Sequence, residues 1–382
     1  MKQIRVCMYI PSFYPVVGGA ERQAQMLAGL LVRQHQHAFV LTRRLGELLR
    51  SEEIDGVPVH RVLAGSHPLV FALSSSLRLL QLRHTYDVIH THTLNSPALV
   101  ACCVGKLLRK RVIIKIPRTG KGSFLESLQG SLSGRLRMAF MKHTADAFIA
   151  LNREAELTLQ KRGVGSEKIV CIPNGVDAES FCPAGSENEK AALRRELGLP
   201  QGSIGIFVGR LIPRKRADLI IDAWKKIGEI VPDSYLLIIG EGPEREELKR
   251  QIHLLNLDNN VRLLGNLDQG AVRKHLQAAD IFILSSESEG VPNAMLESMS
   301  VGLAVIATRI GGTDGILSAG ENGLVFEVGD TEELQRKLIH VLKNKEYRGI
   351  LGRMARETII DSLSLEAIAA EYILLYKRLS NA

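Results

Sequence analysis

Glu289 and Glu297 stand with seven residues between them in the stretch SESEGVPNAMLESMSVG, Ser286 to Gly302. The apolar run DIFILSS before them reads as a β-strand and AMLESMSVG after the Gly-Val-Pro-Asn turn reads as a helix. A carboxylate at a helix start is often plain capping. Here the amides of Gly290, Val291, Asn293 and Ala294 gather at the same helix start and suit a phosphate, with Pro292 alone lacking an N–H. A carboxylate is repelled by a phosphate, so capping does not account for Glu289 if an anion binds there. Glu289 just ahead of the amides can instead accept bonds from sugar hydroxyls, and Glu297, one to two turns into the helix, can reach a diol such as a ribose.

A cationic partner comes from GIFVGRLIPRKRADLIIDAW. Gly209 closes a strand, Arg210 follows it, and Lys215 lies five residues on. Arginine forks two phosphate oxygens and lysine acts as a point charge, each such bond contributing about 1.5–3 kcal/mol. Arg214 and Arg216 fit a solvated basic turn better than Arg210 does. The acids would thus hold hydroxyls while Arg210, Lys215 and the backbone hold a diphosphate. No Asp-x-Asp occurs, so the cations would stand where a metal-bridged nucleotide site needs a carboxylate cluster. The expectation is therefore no metal and no cofactor.

Two further loops are candidates. Gly18-Gly19 precede a helix starting near Ala20, with Glu21 in its first turn; glycines permit φ > 0 and close approach of a ligand, although a tight turn is the simpler reading. DVIHTH places His90 and His92 on one face of a strand, His92 at its tip. The pair can be structural or functional, and no third ligand suggests a metal.

These loops need scaffolds. Apolar runs alternate with helical patterns in two series, IRVCMYI to KIVCIP and SIGIFVG to GLVFEV, with a polar, turn-rich stretch between them. That pattern implies α/β architecture with two parallel sheets covered on both faces, two facing Rossmann-like domains. The expected boundaries are 1–175 for the first domain and 190–362 for the second. A terminal helix, 363–382, with Leu365, Ile368, Tyr372, Leu375 and Leu379 at helical spacing, would return to the first. Ligands would bind beyond the carboxyl ends of the strands, where all the candidate residues lie.

The 382 residues suit two domains. No apolar run reaches the roughly 20 residues of a membrane span; SPALVACCVGKLL reads as a buried helix, and the amino terminus as a first strand rather than a signal peptide. Five cysteines without a CxxC point to reduced thiols in a cytoplasmic protein. The net charge of +8 is uneven: residues 1–180 hold 24 Lys and Arg against 13 Asp and Glu, the remainder 25 against 28. The basic half suggests an anionic partner, a membrane surface or acidic acceptor. KLLRKRVIIK and SLSGRLRMAFMKH are the stretches to suspect. Nucleic acid is disfavoured because 5% aromatic residues and scattered charge give no stacking platform.

Across nearly its whole length, VVGGAER, DVIHTH, IPNGVD, VGRLIPRKRADLIIDAW, IIGEGPEREELK, VRLLGNL and SESEGVPNAMLESMSVG, the chain resembles the family-four retaining glycosyltransferases of GT-B fold. The Glu-x7-Glu and Gly-Arg-x4-Lys elements together carry the likeness. The resemblance implies transfer of a sugar from a nucleoside diphosphate donor, a UDP- or GDP-sugar, to a glycan or lipid-linked acceptor with retention of configuration, at the inner face of a membrane. It implies that Gly18 and Gly19 face the donor phosphate and His92 the transferred sugar. Arg210 and Lys215 would bind the diphosphate, Glu289 the sugar hydroxyls and Glu297 the ribose, with Asn266 and Leu267 bordering the base. Two departures stand out. IGGTDGIL has Gly315 where the family commonly has glutamate, with Asp314 one place early, and VIIKIPRTGKGSF has Lys115, Arg118 and Lys121 where an HG pair is common, on what is taken as the acceptor side. The other readings are a nucleotide-sugar epimerase of the same fold, against which the paired motifs argue, and a non-catalytic sugar-nucleotide sensor, which only Gly315 favours.

Overall fold

A computed structural model describes residues 3–16, 18–65, 67–120, 122–128 and 130–381. Lys121 and Val17 lie outside them. The chain divides into two units, residues 1–175 with 365–382, and residues 176–364.

The first unit holds eight strands: β1 (Arg5–Tyr9), β2 (His37–Arg43), β3 (Ser51–Ile54), β4 (Val57–Val62), β5 (Val88–Thr91), β6 (Arg111–Ile116), β7 (Ala147–Ala150) and β8 (Ile169–Cys171). They form one sheet in the order β3-β4-β2-β1-β5-β6-β7-β8. All neighbours are parallel except β3 and β4. Chain order reverses between β1 and β5, which makes the gap beyond their carboxyl ends the switch point where such sheets bind ligands. One face packs Cys7, Tyr9, Ile89 and Ile114 against helices Pro68–Gln81, Ser96–Leu108 and Leu132–Thr144. Helix Leu365–Asn381 belongs to this unit and packs on helix Gly19–Arg33.

The second unit has six parallel strands: β9 (Ser203–Val208), β10 (Ser234–Ile239), β11 (Val261–Gly265), β12 (Ile281–Leu284), β13 (Ala304–Thr308) and β14 (Leu324–Phe326). Their order, β11-β10-β9-β12-β13-β14, is the 3-2-1-4-5-6 arrangement of a dinucleotide-binding fold, with its switch point between β9 and β12. β12 and β13 are buried along their whole length, as strands covered on both faces must be.

The apolar runs that open and close the two series, IRVCMYI, KIVCIP, SIGIFVG and GLVFEV, each contain a strand. An all-parallel first sheet was not what formed: β3 pairs antiparallel with β4 across an Asp55-Gly56 turn in which both residues have positive φ, 50° and 77°. The stretch 176–189, expected as a junction, is part of the second unit. Phe181 is buried there, its carbonyl accepts the Ser300 hydroxyl at 2.7 Å, and Ser186 caps helix Glu187–Glu196. From that helix Lys190 and Arg194 both reach Asp280, at 2.7 Å each, at the start of β12.

Candidate functional site

In the second unit the switch point brings together the loops after β9 and β12. The β9 loop runs through Gly209 and Arg210 into a single 3-10 turn, Pro213–Lys215, and then Arg216, a non-glycine residue at φ 49°. A left-handed residue of this kind needs outside support. The Ser285 hydroxyl supplies it by donating to the carbonyls of Lys215 and Arg216, at 2.9 and 2.7 Å. The Glu287 amide donates to the Arg214 carbonyl at 2.9 Å. With the backbone pinned in this way, Lys215 Nζ meets Glu289 Oε1 at 2.5 Å.

Arg214 also reaches Glu289 Oε1, at 3.3 Å, and donates to the Ser288 carbonyl. This corrects the reading of Arg214 as a solvated turn residue. The solvated description fits Arg216, which pairs with Asp218 and Glu287, and it also fits the exposed Arg210, for which no ion pair forms among the described residues. Burial pushes the Glu289 carboxyl up, but Lys215 and then Arg214 outweigh it and hold it below the usual carboxylate range. Glu289 is therefore ionised at neutral pH and acts only as an acceptor.

Glu289 and Gly290 lead through Val291 and Pro292 into helix Asn293–Ser300, on which Asn293 and Ala294 are half-buried at the start and Glu297 is buried, 4% exposed. A Cβ on Gly312 would come within 2.6 Å of the Gly290 carbonyl, so the loop after β13 backs directly on this turn. Asp314 and Gly315 follow in that loop. Gly315 has φ 80°, a conformation that disfavours the family's glutamate, although nothing lies within 4 Å of a Cβ there.

The neighbouring strand ends complete the floor. Gly240 has φ 144°, and a Cβ there would lie 1.8 Å from the Gly209 carbonyl, so only glycine lets the β10 loop pass the β9 loop. The Gly240 amide donates to Gly265, after which come exposed Asn266 and half-buried Leu267.

The remaining candidates belong to the first unit, at its own switch point. Gly18 caps helix Gly19–Arg33 with φ −119° and ψ −179°, an ordinary extended conformation. The expected use of positive φ is therefore not made; instead the missing side chain leaves room for Glu21, whose Oε2 would lie 2.4 Å from a Cβ on Gly18. His92 is 1% exposed, not presented at a strand tip. Its ring stacks on His90 with centroids 4.3 Å apart, and its Nε2 lies 3.5 Å from Met8 Sδ. His90 Nδ1 lies 2.8 Å from the Tyr376 hydroxyl on the terminal helix. Burial, aided by neighbouring charge, lowers both histidines well below their ordinary range.

Lys115, on β6 next to this pair, is 4% exposed and lies 5.5 Å from the Tyr372 ring centroid, with no carboxylate partner among the described residues. Burial lowers its pKa to about 7. The unfolded chain keeps this amine charged up to about pH 10.4. Its cost to stability is therefore full below pH 7 and fades as pH rises from 7 towards 10.4. We expect Lys115→Met to raise stability at pH 7 by on the order of 3 kcal/mol, seen as a higher melting temperature, with the gain shrinking at pH 10 in thermal melts. An equal gain or loss at both pH values would contradict this.

Among the described residues no group of three His, Cys, Asp or Glu side chains is placed to hold a metal ion, and no helix is long and apolar enough to cross a membrane.

Two family models match the chain. Residues 17–180 match Glycosyltransferase Family 4, and residues 189–358 match Glycosyl transferases group 1. The chain belongs to the family-four glycosyltransferases. The N-acetyl-alpha-D-glucosaminyl L-malate synthase of Bacillus anthracis is 26% identical over 372 residues, covering 95% of this chain and 94% of that protein. The UDP-Gal:alpha-D-GlcNAc-diphosphoundecaprenol alpha-1,3-galactosyltransferase of Escherichia coli is 29% identical over 303 residues, covering 77% and 76%. The fold is that of Anabaena HepE, crystallised in complex with UDP, with a TM-score of 0.82, 21% identity and coverage of 99% of this chain and 100% of that one. This glycosyltransferase, an enzyme of glycan biosynthesis, thus has the two Rossmann-like units of the GT-B class.

Proposed function

We propose that this glycosyltransferase takes a sugar from a nucleoside diphosphate donor and transfers it with retention of configuration, without a metal, to a glycan or lipid-linked acceptor at the cytoplasmic face of a membrane. The observation that carries the reading is the Lys215–Glu289 contact of 2.5 Å at the switch point between β9 and β12. A diphosphate on the Arg210 side of that loop would meet exposed cationic charge, and Lys215 and Arg214 already offset Glu289, so the carboxylate does not repel it. Glu289 would accept from the sugar hydroxyls, Glu297 from the ribose, Gly290 to Ala294 would line the phosphate, and Asn266 and Leu267 would border the base. UDP is the first nucleotide to test, because UDP is bound in the HepE crystals and the E. coli relative is named for a UDP-Gal donor.

A carboxylate clamped by two cations is a poor nucleophile, so Glu289 would position rather than attack. Front-side attack fits better: the departing diphosphate takes the acceptor's proton while Arg210 and Lys215 stabilise its charge. Gly18 and Gly19, at the first unit's switch point, would approach the donor phosphate. His92, buried as it is, would act near the transferred sugar only after its packing opens. Arg118, just after β6, would face the acceptor, whereas Lys115, buried beside Tyr372, is not on the acceptor side as expected. Neither the epimerase nor the sensor reading gains support, since the paired motifs stay intact.

The reading is tested by transfer of radiolabelled sugar from UDP-sugars to a lipid-diphosphate acceptor, with and without EDTA. An α-linked product from an α-linked donor, at an unchanged rate in EDTA, is expected. An inverted product, or loss of activity restored by Mg²⁺, would overturn retention or metal independence.

A further inference from the structure

The first unit carries apolar surface that its own core does not use. Helix Pro68–Gln81 turns Phe71, Ser75 and Leu79 inward. On its outer side Leu69, Leu73 and Leu77 follow one another at four-residue spacing, 62%, 71% and 60% exposed. Leu63, exposed as well, extends the stripe, its carbonyl held by the Ser74 hydroxyl at 2.6 Å. Helix Leu132–Thr144 leaves Leu132 and Leu136 exposed as well, and the turn before it exposes Phe124. Helices 68–81, 96–108 and 132–144 pack side by side in one layer and share a single core on their inner faces, so these leucines belong to one outer surface. Clustered exposed leucines of this kind mark an interaction site.

The charge on that layer selects the partner. The three helices carry Arg78, Lys106, Arg135, Arg137 and Lys142 and no Asp or Glu, and Lys106, Arg137 and the neighbouring Arg109 are exposed. A second copy would set cation against cation. An anionic bilayer accepts both features, with leucines entering the acyl boundary and cations meeting headgroup phosphates. Of the basic stretch KLLRKRVIIK only the first part can serve, because its VIIK residues lie buried in β6.

We propose that this helical layer docks the protein on an anionic phospholipid surface, with Leu69, Leu73 and Leu77 of helix Pro68–Gln81 as its insertion stripe. The inference rests on the reading of a lipid-linked acceptor and identifies the surface that would meet it.

The test is co-sedimentation of the full chain with vesicles of phosphatidylcholine alone or mixed with phosphatidylglycerol, at low and high salt. Binding is expected only to the phosphatidylglycerol vesicles and should weaken with salt. A Leu69→Ser/Leu73→Ser/Leu77→Ser variant should bind at least about tenfold more weakly, with unchanged circular dichroism and unchanged stabilisation by UDP. A Lys106→Gln/Arg137→Gln variant should flatten the salt dependence. No binding to anionic vesicles at low salt, or leucine-variant binding equal to wild type, would overturn the proposal. So would a dimer that the leucine variant abolishes without any vesicle binding, which would make the occupant a second copy. Absence of vesicle binding by the wild-type protein with its UDP stabilisation intact sinks only this surface; vesicle binding without UDP stabilisation sinks the donor site and leaves the surface standing.

Discussion

Lys215→Ala is expected to lower transferase kcat about 10²–10³-fold, the scale of losing one charge-stabilising group from a pre-organised site. Two effects add. The leaving diphosphate loses a cation placed at the end of the β9 loop. Glu289, 11% exposed at its side chain, then keeps only Arg214, at 3.3 Å, as an ionic partner. An under-compensated carboxylate facing a diphosphate raises the barrier further. Glu289→Gln should be milder for nucleotide binding, since Lys215 and Arg214 remain and face less negative charge, yet severe for transfer because a neutral amide holds sugar hydroxyls more weakly. Steady-state kinetics on both variants check the split. Wild-type kcat in Lys215→Ala would remove this residue from the machinery.

The second large effect concerns stability. Asp280 accepts from Lys190, Arg194 and the Ile204 amide at 2.7, 2.7 and 2.8 Å, with its side chain 9% exposed. Arg194 also donates to the carbonyls of Ala278, Gln201 and Gly202, tying helix Glu187–Glu196 to the amino ends of β9 and β12. Burial pushes the Asp280 carboxyl up, but Lys190 and Arg194 hold it below its ordinary value. Its contribution is therefore full above the unfolded pKa and lost as pH falls through the lower folded one. Asp280→Ala leaves two cations in a buried place without their anion and should cost about 3–5 kcal/mol. For a unit of this size that is roughly 10 °C in melting temperature. The Arg194→Met/Asp280→Leu double variant should lose less than Asp280→Ala alone. A fall below about 1 kcal/mol in Asp280→Ala would show the network contributes little.

The strands and both switch points were legible because runs such as IFIL and VII are apolar at every position, and loops after strands carry the candidate residues. What escaped the sequence depended on information it does not hold. β3, SEEI, has no apolar pattern, although the Asp-Gly pair after it is a hairpin signal. Arg214 read as the solvated turn residue and Arg210 as the site cation, yet the 3-10 turn brings Arg214 to Glu289 while Arg210 is exposed. His92 sits at the end of β5, but the sequence does not say which side of the sheet receives its ring; the side chosen is the one Tyr372 and Tyr376 cover. Tyr376, one turn beyond Tyr372, was missed for Leu379, which is only half-buried. Gly18 was read for the positive φ it permits, but extended backbone sufficed.

The most direct measurement of the central claim is calorimetric titration of UDP, GDP, ADP and dTDP, without metal, into the wild-type protein and into Lys215→Ala. We predict that one nucleotide, UDP first among them, binds the wild type and binds the variant about 10–100-fold more weakly. Absence of heat with every nucleotide, or equal affinity in the two proteins, would contradict a diphosphate site built on Lys215 and Glu289.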